Sequence, residues 1–138
     1  MNIVIIEDEV FAARRLENMI KKISPDAKII AKLESVDDSI KWFKENKQPD
    51  LIFLDIHLED DLSFSIFKET SISSSIVFTT ATDELATRAF ATMGIDSLYK
   101  PISAVELEKI LDKYGNKPEN TSKPIEGSIF DDIVNQKN

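Results

Sequence analysis

Two runs of consecutive apolar residues, each halted abruptly by acid, set the pattern of this chain. Pro49-Asp50 opens Leu51-Ile52-Phe53-Leu54, which stops at Asp55, and Ile3-Val4-Ile5-Ile6 stops at Glu7-Asp8-Glu9. A run without polar alternation reads as a parallel strand buried on both faces, not as a half-exposed one. After the first run the apolar positions switch to helical spacing, at Ala13, Leu16, Ile20 and Ile23, with Arg14, Arg15, Glu17, Lys21 and Lys22 between them. This predicts an amphipathic helix from Val10 to the break at Ser24-Pro25, capped by Asp8 or Glu9.

The same alternation continues. Residues 27–33 predict a short strand, and Ser35 caps a helix to Asn46 whose buried stripe is Val36, Ile40 and Phe43, with Trp42 packed or partly exposed. Past Asp55 comes an acidic loop, Leu58-Glu59-Asp60-Asp61, and a weakly patterned helix over 63–70. Ile76-Val77-Phe78 is a fourth buried strand running into Thr79-Thr80-Ala81. Asp83 opens a helix with Leu85, Ala86, Ala89, Phe90 and Met93 on one face, for which Gly94 is the natural stop. Asp96-Ser97-Leu98-Tyr99 forms a fifth strand ending in Lys100-Pro101, and Ser103 and Glu106 form a capping box for a last helix running to Gly115. Strand and helix thus alternate as expected of an α/β, doubly wound, five-stranded parallel sheet. Residues 1–114 make the folded domain, and 115–138, rich in Lys, Pro, Asn, Ser and Glu, a linker or tail.

Composition narrows the function classes. At 138 residues, 42% hydrophobic, the chain holds one ordinary domain and a tail. A formal net charge of −8 argues against direct nucleic acid binding by this segment, because such affinity rests on Lys and Arg at phosphates. The absence of cysteine removes disulfides and thiolate metal sites and suits a reducing compartment. With no basic-then-apolar leader and no apolar run of membrane-spanning length, the expectation is a cytoplasmic protein without membrane contact.

In a parallel sheet, ligands gather at the carboxyl ends of the strands. That edge collects Glu7, Asp8, Asp55, Thr80 and Lys100. Read singly, each has an ordinary role: an Asp after a strand caps the next segment, a Lys is a surface charge, a Thr ends a strand. Together they form a reactive set. Clustered carboxylates repel unless a hard cation joins them, and Mg2+ binds through one or two carboxylates while completing its shell with waters and phosphate oxygens. Asp55 can then serve as a nucleophile towards a phosphoryl donor, with Lys100 and Thr80 on the phosphoryl oxygens.

These residues carry a resemblance over about residues 1 to 114. Ile5-Ile6-Glu7-Asp8-Glu9, Asp50-Leu51-Ile52-Phe53-Leu54-Asp55, Thr80-Ala81 and Lys100-Pro101 are similar to the motifs of receiver domains of two-component response regulators. The resemblance implies a flavodoxin-like fold of strand order 2-1-3-4-5 and a signalling domain, not an enzyme in the usual sense. It implies that Asp55 accepts a phosphoryl group from a sensor histidine kinase. Mg2+ would be held by Asp8, Asp55 and the backbone carbonyl of His57, with Glu7 assisting through water. Thr80 and Lys100 would contact the phosphoryl group, and Lys100-Pro101 would be a cis peptide. A homodimer through the helix opened at Asp83, the fifth strand and the last helix is implied as well. More narrowly, Phe78-Thr79-Thr80-Ala81-Thr82-Asp83-Glu84 with Ala86 and Ala89-Phe90, and Asp55-Ile56-His57-Leu58 with Asp60 and Phe64, look like receivers that precede LytTR-type DNA-binding domains. Contact with DNA would then belong to a domain beyond Asn138, for which the tail is the tether.

Two departures keep other readings in view. Ser97 stands where receivers usually carry the aromatic residue three positions before the lysine, and Leu58-Glu59 and Leu62-Ser63 replace the usual Met-Pro and Asp-Gly elements. A phosphorylation-independent interaction module and a stand-alone single-domain regulator are the alternatives. A dehalogenase-like phosphatase would need an Asp at position 57, where His57 stands. A flavodoxin would need a Gly- and hydroxyl-rich loop where Glu7-Asp8-Glu9 stands.

Overall fold

A computed structural model of the chain describes residues 1–81 and 94–115. The elements are β1 (Asn2–Ile6), α1 (Val10–Ile23), β2 (Lys28–Leu33), α2 (Val36–Glu45), β3 (Leu51–Asp55), α3 (Ser65–Glu69), β4 (Ser75–Thr80), β5 (Asp96–Tyr99) and a final helix α4 (Ala104–Gly115). The helix expected from Asp83 and the tail from 116 onward lie outside the described residues.

The five strands form one parallel sheet of order β2-β1-β3-β4-β5. β3 is central and buried at all five positions, as its unbroken apolar run requires. Alternate residues feed two cores. Val4, Ile6, Ile52, Leu54, Ile76 and Phe78 pack with Val36 and Phe43 of α2 and Ile66 and Phe67 of α3. Ile3, Ile5, Leu51, Phe53, Val77 and Leu98 pack on the other face with Leu16 and Ile20 of α1 and Leu107 and Leu111 of α4. Helices therefore pack on both faces of the sheet.

Local chemistry sets the helix starts. Glu9, not Asp8, caps α1, its carboxylate accepting from Phe11 N and Ala12 N at 3.1 and 2.7 Å. Ser35 caps α2 through Asp38 N at 3.0 Å. In that helix Ser39 is fully buried where Ile40 was expected. Its hydroxyl donates to Ser35 O at 2.7 Å, which satisfies the group, and Ile40 packs only partly buried against the core. α3 is shorter than the 63–70 expected, because Ser63 and Phe64 sit in tight turns whose carbonyls accept from Ile66 N and Phe67 N. Gly94 has φ +75, the left-handed conformation suited to ending a helix.

Candidate functional site

Strand register brings the chemistry to one edge. Ile6 pairs with Leu54, and Asp55 with Thr79, so Glu7 and Asp55 leave neighbouring strands at the same level. Pairing continues one step past the strands, with Glu7 N donating to Leu33 O, Ile56 N to Thr79 O and Lys100 N to Thr80 O, at 2.9 to 3.0 Å. These bonds fix the backbone of the residues that follow the strands.

One carboxylate oxygen from each of Glu7, Asp8 and Asp55 lies within 4.8 Å of the others. Glu7 and Asp55 are buried, and Asp8 is half-buried. Lys100 Nζ reaches between them, donating to Asp55 Oδ2 at 3.0 Å and to Glu7 Oε1. The other Asp55 oxygen, Oδ1, accepts from His57 N at 3.3 Å, and Glu7 Oε2 accepts from Glu9 N at 3.4 Å. Because Glu9 is spent on α1, Asp8 is left for the cluster. Asp55 is buried, its side chain retaining 9% exposure.

The electrostatics follow from burial and crowding. Burial, then the adjacent Asp55 carboxylate, push Glu7 above the ordinary glutamate range, against the pull of Lys100. Burial and the neighbouring Glu7 push Asp8 up likewise. For Lys100, burial favours the neutral amine, but the hydrogen bonds and charges of Glu7 and Asp55 outweigh it and hold the ammonium above its ordinary value. Three carboxylates against one ammonium leave two negative charges uncompensated when all are ionised. An all-oxygen donor set with that deficit fits a hard divalent cation.

Thr80 ends β4 fully buried, one residue beyond the partner of Asp55. Lys100-Pro101 is cis. His57 has an exposed side chain and is held through its backbone, by the bond to Asp55 and a bridge to Leu62. Ser97 is half-buried on β5. The loop acids do not join the cluster found among the described residues. Asp61 accepts from Leu62 N and Ser65 Oγ, and Asp60 accepts from the first N–H groups of α2. The sequence signals an acidic loop but not this destination, because Asp60 and Val36 are 24 residues apart. A cavity of about 280 Å³ opens beside the cluster, lined by Glu7, Phe11, Ala12, Arg15, Lys100 and Ile102 among others. Phe11, 76% exposed, stands at this cavity, an apolar surface beside Glu7 and Lys100.

The family described as "Response regulator receiver domain" matches residues 3–112. This chain belongs to that family. The receiver is 32% identical over 117 residues to "Sensory transduction protein LytT" of Bacillus anthracis, covering 83% of this chain and 47% of that protein. The chain thus spans about half the length of the curated relatives it matches. Among solved structures, the response regulatory domain of protein mrkE from Klebsiella pneumoniae superposes with a TM-score of 0.70 at 30% identity, covering 83% of this chain and 95% of that one. The signal receiver domain of a DNA binding response regulator from Colwellia psychrerythraea 34H gives 0.71 at 23% identity, a likeness of fold. The receiver family is a signalling family, and among the described residues no helix is long and apolar enough to cross a membrane.

Proposed function

We propose that this receiver is the phosphoacceptor part of a two-component response regulator, taking a phosphoryl group on Asp55 from a sensor histidine kinase. The observation that carries the reading is the environment of one carboxylate. Asp55 has Lys100 Nζ on one oxygen, a backbone N–H on the other and two further acids beside it, and two of these neighbours, Glu7 and Lys100, line the adjoining cavity.

In the reaction, an Asp55 oxygen forms a bond to phosphorus as the phosphorus–nitrogen bond of the donor phosphohistidine breaks, and the leaving imidazole takes up a proton. Lys100 is already charged and poised, and it transfers its hydrogen bonds from the carboxylates to the phosphoryl oxygens that replace them. Thr80 supplies a hydroxyl donor to the same oxygens. His57 N–H steadies the acceptor carboxylate. Glu7, Asp8, Asp55 and the backbone carbonyl of His57 would hold Mg2+, which would supply positive charge to balance the negative oxygens of the incoming phosphoryl group. Exposed Phe11 offers the phosphodonor protein an apolar contact beside the reacting edge.

Phosphorylation would bias the surface that includes β5 and α4 between two arrangements and favour a homodimer through it. The match covers about half the length of the LytT relatives, which supports a reading in which residues 1–114 are the receiver and 115–138 a linker leading to a DNA-binding output domain. Such a regulator acts in the cytoplasm. Incubation with acetyl phosphate and Mg2+ tests the site. One phosphoryl group should appear on the wild type and none on Asp55→Asn, by intact mass. Light scattering with and without beryllofluoride tests the dimer. Labelling that persists in Asp55→Asn would sink the assignment.

Ser97 favours a second reading. With no aromatic ring at that position to couple to Thr80, the domain would act as a phosphate-independent interaction module, and full partner or dimer affinity in Asp55→Asn would support it.

A further inference from the structure

The three N–H groups that open α2 are satisfied from two places. Asp38 N goes to Ser35 Oγ, a local cap. Val36 N and Asp37 N instead donate to Asp60 Oδ1 and Oδ2, at 2.9 and 3.2 Å, from the loop that follows Asp55. Asp60 thus supplies from a distance what a capping residue supplies locally. A carboxylate astride the positive end of a helix is favourably placed, and these N–H groups hold Asp60 below the ordinary aspartate range.

The two ends of this contact differ in how firmly they are held. α2 is anchored by buried Val36, Ser39 and Phe43. The loop is pinned near its base by buried Ile56 and Leu58, with Ser63 N on Ile56 O at 2.9 Å and Leu58 N on Asp61 O at 3.1 Å. Its apex, 59–61, is exposed. Asp60 ties that apex to the body of the domain. Between the two buried anchors lies His57, whose N–H meets Asp55 Oδ1.

We propose that Asp60 is a positioning residue for the phosphoacceptor site: by clamping the loop apex to the start of α2, it fixes the backbone of His57 against Asp55. The inference rests on the reading of Asp55 and its neighbours as a Mg2+-dependent phosphoacceptor. It explains why an acid in this loop faces away from the carboxylate cluster: its charge serves the helix, and its attachment serves the site. Aligning a ligand through a group that never touches the metal is how outer contacts tune metal affinity.

The test is Mg2+ titration by calorimetry on the wild type, Asp60→Ala, Asp60→Asn and Ser35→Ala, with the His57 amide resonance followed in metal-free protein. Asp60→Ala should weaken Mg2+ binding about tenfold and shift the His57 amide before any metal is added. Asp60→Asn, which keeps one oxygen acceptor, should recover most of the affinity. Ser35→Ala removes a cap from the same helix and should lower the melting temperature while leaving Mg2+ affinity and the His57 amide unchanged. Wild-type binding with an unchanged Asp60→Ala overturns the inference alone, as does an equal loss in Asp60→Ala and Ser35→Ala. A wild type that takes up no Mg2+ at millimolar concentration overturns the reading of the site and this inference with it.

Discussion

Lys100 Nζ sits 3.0 Å from Asp55 Oδ2, joining the ends of β3 and β5 across the end of β4. The same ammonium bonds Glu7, so one cation holds two buried acids that would otherwise repel. The site is therefore a balance of charge before any ligand arrives.

Removing that cation should be costly. Lys100→Met leaves Glu7 and Asp55 facing each other without a counter-charge and should lose about 3 kcal/mol of folding stability at neutral pH. The loss should shrink in acid, where Glu7 is protonated, and be partly reversed by Mg2+. Urea denaturation at two pH values, with and without the metal, reads all three effects.

The acids predict a pH dependence of definite sign. Glu7 and Asp8 have folded values above their ordinary ones, so across that window the folded state binds more protons than the unfolded chain. They oppose folding at neutral pH, and the opposition fades as pH falls through their folded values. Glu17, held low chiefly by Lys32, and Asp60, held low by Val36 N–H, act the other way. Their stabilisation is present above their unfolded values and lost in stronger acid. In chelator-treated protein the melting temperature should rise as pH is lowered from 7 toward the ordinary glutamate value of 4.5, then fall. Glu7→Gln should flatten the rise.

The aromatic packing behind the site should be sensitive to truncation. Phe78 of β4 is fully buried and meets Phe64 edge-on at 5.8 Å and Phe67 at 6.4 Å, linking the loop after Asp55 to the sheet. Phe78→Ala should cost about 3–5 kcal/mol. A chemical denaturation midpoint close to that of the wild type would contradict this.

The final helix is tied to the sheet edge by Asp96, whose Oδ2 accepts from both Tyr114 OH and Lys113 Nζ. The two bonds should differ in worth. Tyr114→Phe removes a half-buried bond to a charged acceptor and should cost about 1.5 kcal/mol. Lys113→Ala removes a pair whose lysine is 47% exposed and should cost about 0.5 kcal/mol. Equal losses in thermal melts would show that exposure does not discount the ion pair here.

The sequence alone determined what short-range patterns can carry. Unbroken apolar runs marked buried strands, helical spacing marked α1, α2 and α4, and acids or Lys placed at run ends marked the sheet edge where Glu7, Asp8, Asp55 and Lys100 meet. Each of these signals acts over a few residues or repeats with a fixed period, which a linear reading can follow. Only the tertiary structure decided which acid did what. Glu9 rather than Asp8 became the α1 cap, Ser39 rather than Ile40 was buried, Lys100 paired with Glu7 as well as Asp55, and Asp60 went to α2. The first two are local competitions, with Glu9 taking N–H groups two and three residues on and Ser39 the carbonyl four residues back, whereas the last two depend on strand register and on crossovers that bring together residues 24 to 93 positions apart, a meeting that no local periodicity encodes.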